Sequence, residues 1–264
     1  MKFFKIFIFS VICGFFALPS VYASTPLNVT YSLYAGGFNV VDIEGTYAVT
    51  PDSYAMTMDM QTTGMLGKLA PWSGVIQSNG LNKRENSTPL KHSFASTWRD
   101  ETETTTFTFN NDGTLKSHIR IKSDGKTVNE MPPSDVYDGA PNDMLSALFR
   151  TMNQSSCASS QSVLDGKRKF DMVFKSKGEG FLKQSKYSVF EGKAEICEVE
   201  IVPVAGKWRD KPRGWMSIQG QAKDQGQLPR LWFGRVRDDM PPIPVRFQIK
   251  TDYGTMIMHL KSID

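Results

Sequence analysis

Val29-Thr-Tyr-Ser-Leu-Tyr-Ala-Gly-Gly-Phe-Asn-Val-Val-Asp-Ile-Glu-Gly-Thr-Tyr-Ala-Val49, followed after a turn by Tyr54-Ala-Met-Thr-Met-Asp-Met60, is the stretch whose reading decides the fold. From Val41 the odd positions are Val41, Ile43, Gly45, Tyr47 and Val49, and from Tyr54 the even positions are Tyr54, Met56, Met58 and Met60. The residues between them are mostly polar. A period of two places one face of a strand on a core and the other in water. Gly36-Gly37 reads as a bend or bulge that lets a sheet curl.

The same period runs outward to the C-terminus. Phe170, Met172 and Phe174 alternate with charged residues, as do Cys197, Val199 and Ile201, and later Val245, Phe247 and Ile249. Phe107 and Phe109 lead into the turn Asn110-Asn-Asp-Gly113, and Leu115 leads out. Pairing about that turn sets Thr106 opposite His118 and Thr104 opposite Arg120. The row Lys116, His118, Arg120 and Lys122 then faces solvent, and Ile119 and Ile121 join the phenylalanines inside. His259 is also expected to point outward. One convincing helix interrupts the strands, Asn142–Met152. Asn142 is the expected N-cap, and Met144, Leu145, Leu148, Phe149 and Met152 share a face. Ten or eleven strands with one amphipathic helix predict an all-β, mainly antiparallel protein. Its single curved sheet would form a barrel or half-barrel with the helix over its mouth. A two-sheet sandwich is the second choice.

Residues 1–23 read as a cleaved secretory signal: Lys2 and Lys5, an apolar run from Ile6 to Leu18, and small residues up to Ala23. The run is too short to span a bilayer, and no later stretch approaches the ~18 apolar residues of a span. Residues 24–264 are then one exported β domain in the periplasm. Removing Lys2 and Lys5 from the 31 basic residues leaves 29 against 27 acidic, too weak a balance for nucleic acid. Cys13 leaves with the signal, and Cys157 and Cys197 read most simply as one disulfide in an oxidising compartment. Free reactive thiols are the alternative, without a Cys-x-x-Cys to support them.

The chemistry-bearing motifs are sparse. His92, His118 and His259 have no metal-ligand spacing, and no nucleophile elbow, phosphate loop or dinucleotide fingerprint occurs. Catalytic residues, metal and cofactor are each predicted as none. The candidate ligand-lining residues are Met56, Met58, Met60, Phe107, Phe109, Met144, Leu148, Phe170 and Met172, since curled sheets enclose apolar ligands and methionine lines adaptable surfaces. Ordinary core filling is the competing reading. Lys207, Trp208, Arg209, Lys211, Arg213 and Trp215 form a basic, tryptophan-bearing loop suited to an envelope partner or a membrane surface. The expected function is non-enzymatic binding of an apolar or lipid-like ligand, or of an envelope protein. The alternatives are an assembly factor acting through a sheet edge or the Trp208–Trp215 loop, and a hydrolase in which His92 meets a carboxylate and a hydroxyl.

Several short motifs occur in a characteristic order. They are Tyr31-x-Leu-Tyr-Ala-Gly-Gly-Phe-x-Val-Val41, Asp143-Met-Leu-Ser-Ala-Leu148, Cys157, Asp165-Gly-Lys-Arg168, Cys197-x-Val199, Pro203-x-Ala-Gly206, and Pro244-Val-Arg246 through Gly254-Thr255. The ordered set resembles the exported proteobacterial domain-of-unknown-function family 3108 over nearly the whole mature chain. Leu164 stands where that family usually has an aromatic residue, and Lys167 where it has arginine. The resemblance implies a periplasmic β-rich protein with paired cysteines, and it carries over no activity and no catalytic residue. A likeness to periplasmic lipoprotein-carrier half-barrels is an analogy of fold alone.

Overall fold

Alternating side chains build one continuous antiparallel sheet in the computed structural model, which describes residues 25–83, 87–139, 141–154, 157–209, 214–252 and 254–264. The expected leader, together with Lys211 and Arg213 of the basic loop, lies outside the described residues. The first half holds β1 (Leu27–Ala35), β2 (Phe38–Val49), β3 (Ser53–Thr62), α1 (Gly64–Leu69), β4 (Trp72–Leu81), β5 (Thr88–Trp98), β6 (Glu101–Phe109), β7 (Leu115–Ile121) and β8 (Thr127–Asn129). Two helices follow, α2 (Ser134–Tyr137) and α3 (Met144–Asn153). The second half holds β9 (Ser159–Leu164), β10 (Arg168–Leu182), β11 (Gly192–Gly206), α4 (Trp215–Asp224), β12 (Arg230–Gly234), β13 (Ile243–Thr251) and β14 (Gly254–Ile263).

Except for β8 and β9, each strand pairs with its neighbour in sequence, and β1 pairs with β14, so the first and last strands meet in the middle of the sheet. The free edges are β8 and β9, which are consecutive in the chain. The sheet curls without closing, and α2 and α3 occupy the connection between its edges. The β9 edge is partly covered, because Asn142 makes a parallel bridge to Val163 and exchanges backbone bonds with Ser162 and Leu164. A covered or three-residue edge limits strand addition from another chain.

The core lies on the inner face. Tyr47, Tyr54, Met56, Val29 and Leu260 are almost wholly buried there, and α3 packs onto them with Phe149 stacked on Tyr54 at 4.3 Å. Burying a side chain of this size stabilises by about 1.5–3 kcal/mol. Cys157, just after α3, is disulfide-bonded to Cys197 on β11, with Cα atoms 5.9 Å apart.

Four expectations are corrected. Gly36 and Gly37, with φ of 56° and 87°, make a two-residue hairpin turn between β1 and β2 instead of a bend within one strand. The N-cap of α3 is Asp143, whose carboxylate accepts from the Ser146 N–H, because the Asn142 backbone is committed to β9. Met144 consequently starts the helix at its exposed end. The β6–β7 hairpin carries a register shift between Thr108 and Phe109, so Phe107 pairs with His118 and Thr105 with Arg120. One extra residue exchanges the two faces of a strand. His118 is therefore buried against Phe107, and Ile121 is exposed. Finally α4 is a second substantial helix, in a segment with no apolar period.

Candidate functional site

The inner faces of β10 to β13 carry an apolar cavity of about 360 Å³, within the ~300–1,000 Å³ usual for small-molecule sites. Its floor is period-two side chains: Phe170 and Met172 from β10, Val199 and Ile201 from β11, then Leu231 and Phe247. Met172 and Ile201 are directly paired across the ladder, as are Leu231 and Phe247. Trp208, Trp215 and Met216 form the roof, and Met144 of α3 closes one side.

The roof is held by a side chain that imitates a strand. β12 pairs with β11 only as far as Glu198, which leaves the Ile201 backbone open on that side. Gln219 of α4 fills the vacancy: its Oε1 accepts from the Ile201 N–H at 2.7 Å and its Nε2 donates to the Ile201 carbonyl at 3.0 Å. Trp215 Nε1 donates to the same Oε1 at 3.3 Å, and Lys223 pairs with Glu200 at 2.6 Å. The hydrogen bond from Lys223 is the main cause holding the Glu200 carboxyl below its ordinary range. A lone glutamine inside a polar helix offers no periodic signal, which is why sequence reasoning missed this helix.

One end of the cavity is polar. Asp165 accepts from the backbone N–H groups of Lys167 and Arg168, making a tight turn, and pairs with the Arg168 guanidinium at 2.5 Å. That guanidinium lies over the Trp208 ring, 4.7 Å from its centre, while Trp208 Nε1 donates to the Ala205 carbonyl.

Asp165 and Arg168 also line a second, larger cleft of about 1000 Å³ between β6 and β7 on one side and the turn from β9 to β10 on the other. Its near wall adds Lys167, Lys207 and Arg209; its far wall carries Glu103, Arg120, Glu130 and the ring of His118, and Asp135 lines it from α2, which packs on β10 and β11. His118 Nδ1 lies 2.5 Å from the Glu130 carbonyl. A carbonyl only accepts, so Nδ1 carries the proton and Nε2 presents a lone pair. Burial, its first cause, lowers the His118 pKa and keeps the ring neutral. Nε2 is buried without a hydrogen-bond partner and rests against Gly166, where a Cβ would come within 3.1 Å of it.

A third assembly is wholly internal. His92 Nδ1 lies 3.1 Å from Asp143 Oδ1 and 2.7 Å from Ser78 Oγ, Ser78 donates to Asp143 at 2.5 Å, and Ser146 links Asp143 to the Tyr54 hydroxyl. Burial opposes the Asp143 charge, but His92 and then the hydrogen bonds outweigh it and hold the carboxyl below the ordinary range. These are the residue types of a nucleophilic triad in another arrangement. In a triad the hydroxyl and the carboxylate address opposite ring nitrogens. Here both address Nδ1, and Ser78, His92 and Asp143 are all buried. The geometry clamps α3 to β4 and β5.

The predicted site residues thus divide. Met144, Phe170 and Met172 line the apolar cavity together with Trp208 and Trp215 of the basic loop, while Lys207 and Arg209 line the adjoining cleft. Leu148 is half-buried against the main core. Met56 is fully buried core, Met58 and Met60 are half-buried beside it, and Phe107 and Phe109 belong to a second cluster with Leu115, Val136 and Leu164. Cys157, Glu195 and Cys197 bring three potential metal-ligand atoms together, but the disulfide removes both thiolates.

A single antiparallel sheet that curls without closing, with its helices packed inside and at one end, defines a β-barrel-like protein. The chain belongs to the family described as protein of unknown function (DUF3108), which matches residues 30–261. A crystal structure of a beta-barrel-like protein of domain of unknown function DUF1849 from Brucella abortus is similar at 12% identity, with a TM-score of 0.44, over 90% of this chain and 97% of that one. No curated protein matches the chain. Among the described residues no helix is long and apolar enough to cross a membrane.

Proposed function

We propose that this chain is a non-enzymatic exported protein of the periplasm that binds an apolar, lipid-like ligand in the cavity beneath Trp208 and Trp215. The observation that carries the reading is the cavity wall. Phe170, Met172, Val199, Ile201, Leu231 and Phe247 face an unfilled volume, and the roof over it is a helix pinned at Gln219 instead of a continued strand. Apolar side chains around space that packing leaves empty are what an acyl chain would cover. Lys2, Lys5 and the apolar run after them support export, with cleavage near Ala23 leaving residues 24–264 as one β domain, and the Cys157–Cys197 disulfide suits an oxidising compartment. The buried, single-nitrogen arrangement at His92 argues against the hydrolase reading. The short or covered sheet edges argue against assembly by strand addition.

Titration of the mature protein with N-phenyl-1-naphthylamine, a neutral apolar dye, tests the reading. Its emission should rise on saturable binding, and lauric acid should displace it. Absence of saturable binding would falsify the proposal.

A further inference from the structure

Two cavities that share a wall describe the ligand more closely than either alone; the assignment of its headgroup rests on the apolar-ligand reading. Asp165 and Arg168 line both cavities. In the loop after β11 the chain alternates between them: Trp208 roofs the apolar cavity, while Lys207 and Arg209 on either side of it line the cleft. A molecule with its chain under Trp208 therefore emerges at this boundary.

The cleft is electrically polarised. The near wall sets Lys167, Arg168, Lys207 and Arg209 against one carboxylate, Asp165, which Arg168 already engages. The far wall sets Glu103 and Glu130 against one guanidinium, Arg120. Lys167, Lys207, Arg209 and the two far-wall carboxylates take part in no ion pair among the described residues. His118, buried in the far wall with an unpartnered acceptor nitrogen, adds a group that lacks a donor. Each wall is thus complementary to the opposite charge.

We infer that the ligand is a zwitterionic amphiphile, with an acyl chain under Trp208, an anionic group such as a phosphodiester against Lys167, Lys207 and Arg209, and an ammonium group against Glu103 and Glu130. A neutral head leaves both walls unpaired, and a purely anionic head leaves the far wall facing a like charge.

Calorimetric titration of the mature protein with three probes of one chain length, each kept below its aggregation threshold, tests this. Lauroyl lysophosphatidylethanolamine should bind up to about fivefold tighter than lauroyl lysophosphatidylglycerol and tighter still than monolaurin, since each exposed charge pair contributes up to ~1 kcal/mol. Glu103→Gln with Glu130→Gln should erase the preference for the ammonium head. Lys167→Gln with Lys207→Gln should erase the preference for both phosphate heads over monolaurin. Equal binding of all three probes would overturn the headgroup assignment and leave the apolar cavity standing. Lysophosphatidylglycerol binding as tightly as lysophosphatidylethanolamine would overturn the role of the far wall. Binding of none of the three would remove the apolar reading and the headgroup assignment with it.

Discussion

Asp143 caps α3 and lies 3.1 Å from His92 Nδ1 on β5, so one buried carboxylate ends a helix and ties it to the sheet. Replacing it by alanine removes the cap and takes the carboxylate from His92 and Ser78, leaving them only their mutual hydrogen bond in the core. Asp143→Ala should destabilise the protein by about 3–5 kcal/mol, as loss of one partner of a buried pair does, measured by urea unfolding. The pH dependence has a definite sign. The folded carboxyl titrates below its ordinary value of 3.8, so its contribution is complete above 3.8 and is lost as pH falls through the lower folded value. Asp143→Asn should flatten stability in that acid range.

The disulfide joins cysteines 40 residues apart and ties the segment after α3 to β11. In the chain-entropy account a loop of that size stabilises by about 4 kcal/mol. Reduction, or Cys157→Ser with Cys197→Ser, should lower the urea midpoint and steepen the slope, since the released chain exposes more surface on unfolding. An unchanged midpoint would show that the loop's ordering does not depend on the bond.

His259 sits on the outer face of β14, stacked on Tyr187 and edge-on to Tyr34. Burial, then the charges of Arg246 and Lys261, push its pKa down to about 4 from 6.5. The unfolded chain takes up this proton more readily, so stability should fall as pH drops from about 6.5 to about 4 and be insensitive to this group below that. His259→Gln should remove that slope in thermal melts recorded across the range. Its persistence would assign the slope to other groups.

Two methionines separate packing from binding. Met172 lines the apolar cavity; Met56 is buried in the core under α3. Met172→Trp should fill the cavity and abolish dye binding at a stability cost of no more than about 1–3 kcal/mol. Met56→Ala should cost about 2–5 kcal/mol in urea unfolding and leave dye affinity unchanged. The reverse pattern would place the binding surface under α3.

Local pattern and long-range geometry were not equally legible. Alternation over Val41–Val49 and Tyr54–Met60 identified strands because a strand's faces follow from spacing alone. The apolar spacing from Leu145 to Met152 identified α3 for the same reason. His118 went to the wrong face because one bulged residue at the β6–β7 turn reverses parity, and no residue type marked it. The helix α4 went unread because Gln219 docks it through hydrogen bonds to one backbone unit, Ile201, and not through an apolar stripe.

By itself the sequence determined the β class, the antiparallel sheet, the principal helix and the two cysteines available for pairing, all of which depend on composition and nearest-neighbour period. Only the tertiary structure decided that the sheet stays open between β8 and β9, that Ser78, His92 and Asp143 form a clamp and not a reactive triad, and that the cavity under Trp208 adjoins a polarised cleft. Those outcomes depend on which distant strands share a register and on where packing stops short of filling space. Both are set by the whole chain's contacts and not by the spacing of residues along it.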